Sequence, residues 1–129
     1  MKKWIGIGLL GLLIIGVLIF IITSLWIGSD VRRYCKNAIK IYGGKCVSAL
    51  TEMVDDTSMP FRDRNHAIWT LGQLGNPEGL PYITRYYKGV VPDKEDIDTQ
   101  LSQHELTKAI KLMQGGFNIS ALIWRYGIK

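Results

Sequence analysis

From Trp4 to Ile27 the chain carries no charged side chain and is almost wholly apolar. This run of 24 residues is longer than the roughly 20 helical residues that span a bilayer core. A secretory leader has an apolar region of roughly 7–15 residues and a small-x-small cleavage site. Here Ile22 precedes Ser24 and Trp26 precedes Gly28 at the positions where a small residue is needed, so neither site fits. The run is read as one permanent anchor, residues 1–28, whose partner is membrane lipid. Trp4 and Trp26 lie near its two ends, where aromatic rings favour the interface. Gly8 and Gly11 lack GxxxG spacing, and nothing in the run demands a second helix.

The remainder, 29–129, is long enough for one compact core. It is too short for a multidomain enzyme, and two cysteines exclude a disulfide-dense scaffold. Lys2 and Lys3 account for two of the 16 Lys and Arg, leaving 14 against 11 acidic residues in the rest of the chain. That modest excess is no basic stripe, so nucleic acid is not an expected partner. Lys2 and Lys3 favour a cytoplasmic N-terminus, whereas Arg32, Arg33, Lys36, Lys40 and Lys45 pull the other way. Folded domains translocate largely regardless of charge, which tips the reading toward a domain outside the cytoplasm.

Strand signals are poor: there is no sustained alternation and no Asn-Gly or Asp-Gly turn. Helix signals recur. Pro60 sits in the first turn of a helix, and Ala67, Ile68, Leu71 and Leu74 make one apolar stripe. Gly75 suits the left-handed position after a helix end, Asn76 caps the next helix and Pro77 opens it. Upstream, 30–42 and 46–54 read as two helices about a Gly43-Gly44 turn. Downstream, Ser102 and Glu105 form a capping box for a helix that Gly115-Gly116 ends, and 119–126 supply a short last helix. The fold class expected is all-α: a transmembrane helix followed by about three helix pairs.

The stretch Trp69-Thr70-Leu71-Gly72-Gln73-Leu74-Gly75-Asn76-Pro77, with Arg64 and Ala67 before it, resembles the HEAT-repeat signature of the bacterial, phycobilisome-lyase-like type. The likeness covers about 25 residues, and the flanking pairs match only in length and pattern. It implies a short HEAT-like α-solenoid over 29–129. In that family most members are scaffolds or binding surfaces, and a minority act on bilins.

Few residues offer chemistry. Cys35 and Cys46 are either a disulfide, formed outside the cytoplasm, or two small buried apolar residues. A hairpin turning at Gly43-Gly44 places Cys46 nearer Ile41 than Cys35, which counts against the bridge. His104-Glu105 opens like HExxH, but Lys108 stands where the second His belongs. His66 reads as a packed or surface helix residue. Counting an EF-hand loop from Asp93 puts Asp98 and His104 where Gly and Glu are needed, so the acidic loop 93–98 reads as solvated. Asn118-Ile119-Ser120 matches a glycosylation acceptor and reads more simply as a helix cap. No cofactor or metal is expected. Trp69, Tyr82, Arg85, Tyr86, Tyr87 and Lys88 form a candidate partner-binding face, against the simpler reading of Trp69 and some Tyr as core.

These features lead to a non-catalytic, membrane-anchored adaptor for an unidentified protein partner. The alternatives are a lyase-like protein or accessory subunit of a membrane enzyme, and an assembly protein that oligomerises through its edge repeats.

Overall fold

The computed structural model describes residues 2–128 of the chain, with side chains from Gly6 to Ile128. The side chains of Lys2, Lys3 and Trp4 lie outside the described set. All regular structure among the described residues is helical. Helix α1 spans Lys2–Tyr42, α2 Cys46–Asp55 and α3 Phe61–Leu74. A 3-10 turn at Pro77–Gly79 leads into α4, Leu80–Thr84. Helices α5, Gln103–Met113, and α6, Ala121–Trp124, complete the chain.

No new helix begins at Asp30. Helix α1 runs unbroken for 41 residues, about 60 Å at 1.5 Å per residue. Its surroundings change along its length. Between Gly6 and Thr23 its side chains are exposed all round the helix. From Ser24 on, one stripe is buried: Ser24, Gly28, Val31, Cys35 and Ala38. Spacings of four and three keep these residues on one face. Among the described residues one helix, α1, is therefore long and apolar enough to cross a membrane, and its C-terminal half packs in the core.

Helices α2, α3 and α5 pack in series, and Leu50, Ile68, Leu71 and Leu106 between them are fully buried. Gly72 makes the α3–α5 crossing close. A Cβ there would lie 2.7 Å from the Cα of Ala109, so only hydrogen fits. Arg64 is buried and donates from Nε to the Val54 carbonyl at 2.8 Å. A cation satisfying the end of α2 suits the negative pole of that helix. At the corner after α3, Gly75 is left-handed at φ 61° as expected, and the Asn76 side chain accepts from the Glu78 amide.

Several boundaries differ from the sequence reading. Pro60 is the N-cap of α3, outside its first turn, with extended ψ of 143°. What Asn76 opens is a 3-10 turn, and α4 has only five residues. The last helix has four residues. Ser102 accepts from the Glu105 amide as expected. The reciprocal half of the box is replaced, because the Ser102 amide donates to Asn65 Oδ1 at 2.7 Å.

Candidate functional site

Cys35 and Cys46 are joined in a disulfide, with Cα atoms 4.9 Å apart. The geometric objection fails because the chain doubles back before α2 starts. Cys35 lies about 10 Å before the end of α1 by helical rise, a distance that three residues can cover when extended. Lys45 is indeed extended, at φ −93° and ψ 162°. Helix α2 thus begins level with Cys35, and both cysteines are buried.

The candidate partner-binding residues fall in two places. Tyr82, Arg85 and Tyr86 gather around Asp55 at the end of α2. Arg85 ion-pairs with Asp55, Tyr86 Oη donates to Asp55 Oδ1 at 2.7 Å, and the guanidinium lies over both tyrosine rings. Tyr82 is half exposed, whereas Tyr86 and Tyr87 pack against the core. Lys88 is exposed, and its backbone amide donates to Gln103 Oε1 at 2.8 Å. This group is mainly a clasp between α2 and the segment after α4.

Trp69 lies elsewhere, partly buried on α3 beside His66, with ring centroids 4.9 Å apart. His66 in turn stacks on Tyr34 of α1 at 3.7 Å. His66 Nε2 lies 2.9 Å from Asp30 Oδ2. Burial pushes the imidazole below its ordinary range, and the Asp30 carboxylate opposes that shift only in part.

Trp69 borders three hollows. One of about 450 Å³ is lined by Trp26, Asp30 and Arg33. A second runs along α3 and α5 past Gln73 and Lys108. The third, of about 500 Å³, is lined by Arg62, His66, Glu95, Ile97 and His104. This last hollow brings both histidines of the chain to one place. Sequence reasoning kept them apart because 38 positions separate them.

Most polar groups around this hollow are already engaged. Asn65 donates from Nδ2 to the carbonyls of Ile97 and Gln100, each at 2.9 Å. Arg62 forms a two-pronged pair with Asp98. Glu95 accepts from the Ser102 hydroxyl at 2.6 Å and from the amides of Gln103 and His104 at 2.5 and 3.2 Å. Burial alone would raise the Glu95 carboxyl, but these donors outweigh it and hold the group below its ordinary range. Glu95 therefore caps the N-terminus of α5, where a carboxylate is favoured, while Asp93, Asp96 and Asp98 of the loop are exposed. No cluster of His, Cys, Asp and Glu among the described residues is arranged to hold a metal. Asn118 accepts from Ser120 Oγ and the Ala121 amide, which makes it the cap of the last turn.

Comparison of the chain with protein-family models, curated proteins and solved structures finds no match.

Proposed function

We propose that this chain is a single-pass membrane protein that presents a small HEAT-like helical module outside the cytoplasm and binds a protein partner there. The observation that carries the reading is α1 itself, uncharged and exposed all round from Gly6 to Thr23, then buried on one face within the domain. An apolar surface of that extent is stable in lipid, not in water. The hydroxyls near its end support the same reading. Thr23 donates to the Ile19 carbonyl and Ser24 to that of Phe20, so neither leaves an unmatched polar group at the membrane boundary. The Cys35–Cys46 bridge supports an oxidising compartment.

The helix pairs α1–α2, α3–α4 and α5–α6 are the proposed solenoid units, the later two with short second members. The Trp69 hollow is the proposed recognition surface. Its polar groups are tied into caps and ion pairs, leaving Trp69, Ile97 and the histidine rims to meet a partner by shape. That distribution favours binding over a lyase-like or accessory catalytic role, which calls for convergent unengaged titratable groups.

A photo-crosslinking residue in place of Trp69 tests the reading in intact cells, with position 94 as control. The expected result is a discrete protein adduct from position 69 and none from 94. The same diffuse pattern from both would contradict it.

A further inference from the structure

Segment 117–126 leaves four of its apolar side chains exposed. Ala121 and Trp124 are buried in the core, while Leu122 between them on α6 and the flanking Ile119 and Tyr126 are exposed. They are 54%, 58% and 79% exposed, and Phe117 beside them is 78% exposed. A domain of this size does not gain by leaving four such side chains within one ten-residue segment in water.

The level of this face along α1 is fixed by contact. Trp124 packs on Gly28, so closely that a Cβ there would lie 2.4 Å from Trp124 Cβ. Ser24, one turn earlier on the same face of α1, is 1% exposed. Trp26, at the end of the apolar run, is 74% exposed, and two residues of helix separate it from Gly28 by only about 3 Å along the axis. Trp124, and with it α6, therefore sits at the height where the apolar run of α1 reaches its aromatic boundary. One turn beyond Gly28, the exposed Arg32 donates to the Trp124 carbonyl at 3.1 Å, placing a guanidinium beside the same segment.

We infer that segment 117–126 is a second membrane contact. Its side chains Phe117, Ile119, Leu122 and Tyr126 enter the interfacial layer of the bilayer that α1 crosses, with Arg32 at the level of anionic headgroups. An apolar face with a cationic border is the pattern that lies in a bilayer interface. The domain is then held against the lipid surface at two points, by α1 and by its last turn, with a set orientation. The inference rests on the reading of α1 as a membrane span.

The full chain in vesicles of phosphatidylcholine and phosphatidylglycerol tests it, with an environment-sensitive fluorophore on one added cysteine. Three variants are compared: Leu122→Cys, Ile14→Cys within the apolar run, and Asp93→Cys on the acidic loop. The expected result is blue-shifted emission at 122 that is lost to a nitroxide near the lipid headgroup. At 14 the loss should come from a nitroxide deep in the acyl chain, and at 93 from neither. Loss at 14 with water-like emission at 122 would overturn the second contact and leave the span standing. No lipid quenching at 14 would overturn the span and the second contact with it. Blue-shifted emission at 122 that no lipid nitroxide quenches would mean that protein covers the face, which also overturns the inference.

Discussion

The side chain of Trp124 lies directly on the backbone of Gly28, where α1 leaves its apolar run and enters the domain. This contact joins α6 to α1 and fixes α6 close to the end of the apolar run. Gly28→Ala places a methyl group within 2.4 Å of Trp124 Cβ, so α6 must shift or detach. The expected destabilisation is about 1–3 kcal/mol, typical of overpacking. Unfolding in detergent followed by tryptophan fluorescence measures it. In a Trp124→Gly background, which removes that Cβ along with the ring, the same substitution should cost much less, because the two residues share one contact.

Asn65 is the link between α3 and the long connection before α5. It makes three hydrogen bonds to the backbone of that segment while 6% exposed. Asn65→Ala leaves those groups unmatched, at a cost of about 2–3 kcal/mol. Asn65→Asp should be worse at neutral pH, since a carboxylate would face two carbonyl oxygens. Amide hydrogen exchange should show faster opening over 95–102 in both variants, with α2 unchanged.

The Cys35–Cys46 bridge closes a loop with a separation of 11 residues. By loop entropy alone such a link stabilises a fold by about 3 kcal/mol. Replacing both cysteines with alanine should lower the denaturation midpoint accordingly, with the same helical content before unfolding. An unchanged midpoint would show that the bridge adds nothing to the packing already present.

His66 and Glu95 contribute to the expected acid response in separate pH ranges, and Asp56, held low by hydrogen bonds from Ser58 and Tyr42, acts in the same range as Glu95. His66 has its folded-state pKa lowered by burial, against the raising effect of Asp30. Protonation therefore favours the unfolded chain, and stability falls as pH drops from about 6.5 toward the folded value. Glu95 is also lowered, by its hydrogen-bond donors. Its contribution is present above the ordinary Glu range of about 4.3 and is lost as pH falls through the folded value. Chemical denaturation at stepped pH should show two successive losses. His66→Gln should remove the first and keep the second.

Local chemistry carried much of this fold in the sequence. The Gly75-Asn76-Pro77 corner, the Ser102 cap and the apolar stripe on α3 depend on residues a few positions apart, and those are legible in one dimension. Gly28 was misleading for a physical reason. Beside Ser29 and Asp30 it reads as a boundary, yet its missing side chain serves a contact with a residue 96 positions later, and the helix continues through it. The roles of Asn65 and Glu95 follow the same rule, since their partners are set by packing and not by spacing. The candidate site suffered most. Aromatic composition alone grouped Trp69 with Tyr82 and Tyr86, but the fold places Trp69 beside His66 and uses Tyr86 to hold Asp55.

The most direct test of the central claim is labelling of intact cells with a membrane-impermeant maleimide, with and without prior reduction. Labelling of Cys35 and Cys46 is expected only after reduction, with the protein unfolded enough to expose them, if the pair is bridged and lies outside the cytoplasm as proposed. Absence of label in intact cells under both conditions, with label after lysis and unfolding that does not depend on reduction, would contradict it. Both thiols would then be free and the domain would lie inside.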